Sequence, residues 1–281
     1  MPRSIALLAL LPIVFAAGCQ SVGDLINAAP QPSARVVGAD LRNLKVDSAD
    51  LLFHVEVTNP YTTDLPVASL AYVLDSRGTT LLEGAIQPTG AIPARGSSVL
   101  QLPARITFSS LLATLSGVQP GAVVPWRADF IVTIDAPVLG RVKLPLSRSG
   151  ELPVPAIPGV EVVGFDVGSL SLDQAEAVAT LKVTNTNRFA LDLGKMAFTL
   201  DLANAPVART SVSSAARLSP GESATVKVPI SFSPRAFGLP LFRLLQGDAV
   251  NYRLTGYLEA DSKYAPLSAP FTSSGRVGIG R

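Results

Sequence analysis

The sequence predicts an all-β chain with minor helix: two tandem Ig/fibronectin-III-like antiparallel β-sandwiches, each with one short helix, following a lipoprotein signal peptide. The first observation behind this is a repeat. Val57-Thr58-Asn59 returns 126 residues later as Val183-Thr184-Asn185, and the chain on either side returns in step. Val36-Val37-Gly38 matches Val162-Val163-Gly164, Leu70/Tyr72/Leu74 matches Met196/Phe198/Leu200, Leu102-Pro103 matches Val228-Pro229, and Trp126-Arg127 matches Tyr252-Arg253. The second is an apolar period of two, the mark of a half-buried strand. The third is the Gly, Pro, Asn and Ser chemistry between the alternating runs, which fits antiparallel turns.

The N-terminus carries its own pattern. Arg3 is the only positive charge ahead of an apolar run from Ile5 to Ala17, which ends at Ala16-Ala17-Gly18-Cys19. The run is short of the roughly 20 residues a spanning helix needs and reads as a secretion signal. Small residues directly before Cys19 resemble a bacterial lipoprotein signal, although Ala16 stands where that pattern most often has Leu. That resemblance implies removal of residues 1–18 and lipidation of Cys19; the other reading is an ordinary cleaved signal that contains a cysteine. Cys19 is the only cysteine in the chain, so no disulfide can form within it and lipidation would consume an otherwise reactive thiol. Gln20, in place of an Asp, implies by the sorting rule of such lipoproteins an outer-membrane home, lipid-anchored and facing the periplasm.

Composition narrows the function classes. With 23 Lys+Arg against 21 Asp+Glu and no run of like charge, there is no electrostatic footprint for nucleic acid. After residue 19 no apolar stretch reaches spanning length. Residues 19–34, ending in Ala28-Ala29-Pro30-Gln31-Pro32-Ser33-Ala34, are expected to form a tether. Residues 35–149 and 160–276 are the two expected sandwiches, and the Pro-rich 150–159 the semi-rigid connector between them, with 277–281 a frayed tail.

Within each repeat the elements follow in order. In Phe53-His54-Val55-Glu56-Val57 the odd positions are apolar and the even ones polar, as in Ala179-Thr180-Leu181-Lys182-Val183. Leu70/Tyr72/Leu74 and Leu100/Leu102 mark the next strands, and Trp126/Ala128/Phe130/Val132/Ile134 a late, long one. Turns fall at Asn59-Pro60, Asp75-Ser76-Arg77-Gly78, Pro93-Ala94-Arg95-Gly96 and Ser219-Pro220-Gly221. Phe108, Leu111, Leu112 and Leu115 recur at helical spacing, with Ser109 or Ser110 as N-cap and Gly117 as stop. The matching Ser233–Gly247 segment is longer and is expected to be interrupted at Pro240.

This order of strands, an inserted helix, and Val-Thr-Asn-Pro-Tyr after the first long strand resembles the late-embryogenesis-abundant type 2 proteins, whose module is the WHy (water stress and hypersensitive response) domain. Their Asn-Pro-Asn triplet is split here: Asn59-Pro60-Tyr61 keeps the first two positions, and Asn185-Thr186-Asn187 the first and third. The resemblance spans about residues 35–150 and 160–276. It implies a folded, non-enzymatic protein that protects proteins or membranes during desiccation or cold by contact with apolar or partly unfolded surfaces. The alternative is a periplasmic adaptor in an outer-membrane or secretion assembly. Expected partners are therefore the membrane, through the lipid, and stress-denatured clients or an unidentified envelope protein.

No residue set points to chemistry. Asn59 and Asn185 read first as strand terminators. His54, the only histidine, falls on a polar strand face, and its repeat partner is Thr180, so no catalytic, metal or cofactor site is expected. No Gly-x-Ser-x-Gly elbow surrounds any serine. Asp135 and Asp261 recur at one repeat position and read as strand-end acids. The helical sets Leu111/Leu112/Leu115 and Phe242/Leu244/Leu245 read first as core; the second holds more apolar residues than one face can bury, so the alternative is a binding surface formed by Phe237, Leu241, Phe242 and Leu245.

Overall fold

The computed structural model describes residues 30–137 and 139–280. The expected signal at 1–18, the lipidation site Cys19 and the tether through Ala29 lie outside the described residues. The first sandwich is built from β1 (Ser33–Arg42), β2 (Ser48–Thr58), β3 (Leu65–Ser76), β4 (Thr79–Ile86), β5 (Ala91–Ile92), β6 (Ser97–Thr107), α1 (Phe108–Thr114), β7 (Val123–Ala136) and β8 (Gly140–Pro153). One sheet runs β1-β2-β6 and the other β4-β3-β7-β8, with β5 added to β3, all antiparallel. Three strands facing four in this order, with the helix between β6 and β7, is the fibronectin-III-like arrangement.

Alternation decides which residues face inward. Phe53, Val55 and Val57 of β2 are fully buried, as are Leu70 and Leu74 of β3 and Val132 and Ile134 of β7. Phe53 bridges the two sheets, edge-on to Trp126 at 5.5 Å and to Phe130 at 5.0 Å between ring centroids. Such pairs add to the area they bury. Trp126 is admitted by its cross-strand partner, since a Cβ on Gly150 would lie 2.5 Å from the indole. Tyr252 and Gly275 repeat the arrangement in the second sandwich.

That second sandwich consists of β9 (Gly159–Leu170), β10 (Ala175–Thr184), β11 (Leu191–Leu202), β12 (Ala205–Ser213), β13 (Arg217–Leu218), β14 (Ser223–Phe232), α2 (Leu239–Leu245), β15 (Ala249–Asp261) and β16 (Leu267–Gly280). Its core has Ala179 where the first has Phe53, and its large fully buried ring is Phe165. The repeated Val-Val-Gly is a β-bulge: the register steps past Val37 against β2 and past Val163 against β10, and both valines are exposed. A bulge twists and blunts the strand that carries it. Pro103 and Pro229 lie on β6 and β14, which end their sheets, where a missing N–H costs least.

Several expected boundaries move. Ser33 and Ala34 pair with Thr58 and Val57, so β1 begins inside the expected tether. Gly150–Pro153, assigned to the connector, complete β8 opposite Trp126–Val123, leaving 154–158 as the link. The tail is not frayed. Val277 is buried, and Ile279 and Gly280 pair in parallel with Phe165 and Asp166, joining the sheets of the second sandwich. In α1 the cap is Thr107, and Ser109 and Ser110 lie within the first turn. Pro240 opens α2 where no helical N–H partner is needed; the break is at Gly238, whose φ of 90° parts α2 from a 3-10 turn at Pro234–Phe237.

Replacing Phe53 with Ala is expected to lower unfolding free energy by about 3–5 kcal/mol, read from the fluorescence of the single tryptophan during denaturant unfolding. Val37→Lys, at the exposed bulge, should stay within about 0.5 kcal/mol of the parent.

Candidate functional site

The split Asn motif is best understood from its first residue. Inward alternation ends at Val57, and the next inward position is Asn59, 1% exposed. A buried carboxamide must find partners for two N–H bonds and its oxygen. The Asn59 Nδ2 donates towards the carbonyls of Thr63 at 2.8 Å, Ile92 at 3.0 Å and Pro93 at 3.1 Å, while Oδ1 accepts from the Tyr61 N–H at 2.9 Å. Its backbone N–H donates to Gly96 O at 2.8 Å. One side chain thus ties the end of β2 to the entry of β3 and the turn after β5.

The same set recurs 126 residues on. Asn185, 0% exposed, donates to Phe189 O at 2.8 Å, Leu218 O at 3.1 Å and Ser219 O at 3.3 Å, and accepts from the Asn187 N–H at 3.0 Å. With its donors and oxygen so engaged, this carboxamide is a structural pin and offers a ligand no free group. Pro60 and Thr186 follow the pins, and only Thr186 has a side-chain donor, its hydroxyl bonding Ile157 O at 3.1 Å.

The motif's third position differs between the repeats. Tyr61 packs its ring against the first core, and its backbone carbonyl accepts from the Arg95 N–H at 2.8 Å. Asn187 is 2% exposed and turns outward from its own sandwich: Oδ1 accepts from Ala156 N–H at 2.7 Å and Nδ2 donates to Ala156 O at 3.1 Å.

The expected binding surface needs correction. Leu241 and Leu245 are core residues, because they share the inward face of α2. Phe237 is half-buried, edge-on to Phe232 with centroids 6.3 Å apart, and Phe242 is half-buried. The outward apolar residues at this end are Leu239 (56% exposed) and Leu244 (41%), with Leu172 (38%) on the β9–β10 turn. That turn meets the 3-10 turn through the Arg235 N–H on Leu172 O at 2.9 Å and the Arg235–Asp173 pair at 3.0 Å. Helical spacing marked these residues as apolar, but only the docked helix shows which side faces water.

The chemistry-bearing side chains stand apart. His54 Nε2 lies 3.0 Å from Asp40 on the outer face of the first sheet, and this hydrogen bond holds the Asp40 carboxyl below its usual range. Asp135 pairs with Arg141 at 3.1 Å across the β7–β8 end. Among the described residues no group of three His, Cys, Asp or Glu could hold a metal. Trp126 is core packing, and the Tyr252 hydroxyl accepts from the Val162 N–H at 3.3 Å. A cleft of about 980 Å³ opens between the sandwiches, lined by Leu44, Lys45 and Asp47 on one side and Glu259, Asp261 and Pro266 on the other.

Two fibronectin-like sandwiches, each pinned by a buried Asn at the end of its second strand, define a tandem β-sandwich protein. Comparison with known proteins agrees with that repeat: the model for the late embryogenesis abundant protein family matches residues 54–150 and again 180–275. The chain belongs to this family. It is 30% identical over 136 residues to a desiccation protectant protein Lea14 homolog of Glycine max, covering 48% of this chain and 90% of that one. It is likewise 30% identical over 134 residues to a desiccation-related protein LEA14 of Arabidopsis thaliana, covering 48% and 89%. Among solved structures, an Arabidopsis thaliana protein in solution matches with TM-score 0.38 at 29% identity, covering 46% of this chain and 85% of that one.

Asn59→Ala, which leaves buried carbonyls without a donor, is expected to cost about 2–3 kcal/mol in denaturant unfolding. In Asn185→Asp the carboxylate would face three carbonyls, so its folded pKa rises above the unfolded value of about 3.9. That variant should come closest to the parent in acid and lose stability as pH rises through its folded pKa, in thermal melts recorded from pH 4 to 8.

Proposed function

We propose that this chain is a lipid-anchored envelope protein of the WHy type, which protects proteins or membranes during drying, cold or related stress by contact alone. The observation that carries this is family membership in both repeats, with similarity along nearly their whole length to one plant protein named a desiccation protectant and another named desiccation-related. The contact surface we assign to it is the far end of the second sandwich, where Leu172, Leu239 and Leu244 are exposed around half-buried Phe237 and Phe242. Exposed apolar side chains held by a folded scaffold can cover apolar surface on a partly unfolded client at little entropic cost. The anchor would be the lipid on Cys19, on the periplasmic side of the outer membrane, and the mechanism uses no catalytic group or cofactor.

A second reading is an adaptor that spaces parts of an envelope assembly. The hydrogen-bonded link between the sandwiches favours it, since a spacer must hold its length.

The test is recovery of an aggregation-prone enzyme after drying or freezing with the protein, beside an equal mass of inert globular protein. Recovery above the control, reduced in Leu239→Ser/Leu244→Ser, supports the contact mechanism; recovery equal to the control rejects it. Stoichiometric capture of one envelope protein would favour the adaptor. Cys19→Ala should abolish metabolic labelling with a fatty-acid analogue and release the chain from the membrane fraction.

A further inference from the structure

The loop that follows Asn185 does not end in solvent. Besides the Asn187 contacts with Ala156, the Arg188 N–H donates to Gly121 O at 2.7 Å and Thr186 Oγ1 donates to Ile157 O at 3.1 Å. Gly121 in turn donates its N–H to Val154 O at 2.6 Å, so the link is hydrogen-bonded on both sides. Close approach is what Gly121 permits: its φ is +91°, and a Cβ there would lie 2.7 Å from Thr186 O. The β15–β16 turn adds a second contact. Tyr264 stands edge-on to Phe189 at 5.6 Å between centroids, and its hydroxyl donates to Glu151 Oε2 of β8 at 2.8 Å. Burial raises the Tyr264 pKa, which keeps that hydroxyl a donor. Apolar side chains cross the boundary too: Val46 and Val123 of the first sandwich pack on the second core, and Ala265 packs on the first. Val154, Pro155 and Pro158 of the link are buried.

We infer that the Asn185–Phe189 end of the second sandwich is a docking surface whose partner is the first sandwich, with Asn187 as its clasp, so that the two repeats unfold as one unit. The repeat itself supplies the contrast. The Asn59 end keeps the same pin and carries Tyr61 in place of the clasp, and Thr62, Thr63 and Asp64 beside it are exposed. Asn suits the third position of the second repeat because one planar carboxamide presents a donor and an acceptor to a single residue's N–H and C=O. Those backbone groups sit in a partly buried, Pro-rich link and have no sheet partner, so the clasp satisfies what the link cannot satisfy itself. Two domains joined by shared hydrogen bonds and by side chains packed on each other's cores lose stability together when either is weakened.

Trp126 lies in the first sandwich and is the only tryptophan, so its fluorescence follows that sandwich alone. The full chain is unfolded in denaturant with and without Leu181→Ala, a cavity in the core of the second sandwich. In the parent background Leu181→Ala should move the tryptophan midpoint to lower denaturant. In the Asn187→Ala background the same change should move it less than half as far, and the Ala156 amide should lose its protection against hydrogen exchange. Gly121→Val breaks the joint from the other side and serves if Asn187→Ala does not fold. A tryptophan midpoint indifferent to Leu181→Ala in the parent would overturn the single unit. Undiminished transmission in both joint variants would overturn the clasp.

Discussion

A buried carboxamide holds each sandwich together at the end where its second strand stops. Strands end because the backbone must turn, and a turn beneath a packed core exposes carbonyls that no ladder can reach. Asn59 and Asn185 answer this with a short side chain whose nitrogen meets three such carbonyls and whose oxygen receives the N–H two residues on. Asp would match the acceptor and reverse the charge at the donor end; Ser or Thr could not span from β2 to the turn beyond β5. Everything that departs from this end, including the entry of β3 and the motif's third residue, takes its position from the pin.

What distinguishes the repeats is built on that shared base. In the first, the third motif residue closes the sandwich with an aromatic ring; in the second, an amide reaches across to Ala156 of the link. The same scaffold thus has one exposed end near its N-terminus and one end consumed in a joint. At the far end of the second sandwich, the residues equivalent to those under the joint in the first are uncovered. Val46 packs on the neighbouring core, whereas Leu172, at the same repeat position, is exposed. The second sandwich of the pair therefore exposes apolar surface without any loss of core packing.

The chemistry of the surface is correspondingly plain. His54 is bonded to Asp40, Glu56 to Arg35 at 2.6 Å, and Asp50 to Arg105 at 3.0 Å, forming charged rows across the outer face of one sheet. Exposed pairs of this kind contribute little to stability individually. They keep that sheet face of the first sandwich wet, whereas Leu172, Leu239 and Leu244 are exposed together at the far end of the second.

Local periodicity made most of the fold legible. Strand faces, turns, the repeat offset and the strand-ending role of Asn59 and Asn185 all follow from side-chain alternation and turn chemistry, which act over a few residues. Gly150–Pro153 and Val277–Gly280 read as link and tail from sequence because their small residues and prolines carry little alternation; long-range pairing with β7, β15 and β9 holds them as strand. The helical leucines were recognised as apolar, yet which of them face water depends on how α2 docks, and that is a property of the assembled core. The role of Asn187 was equally hidden. By itself the sequence determined two like sandwiches, their inward faces and the Asn that ends the second strand of each; only the tertiary structure decided that these Asn would be buried pins and that the second pin's neighbour would close a joint, because Ala156, Gly121 and Asn187 meet only once both domains are folded.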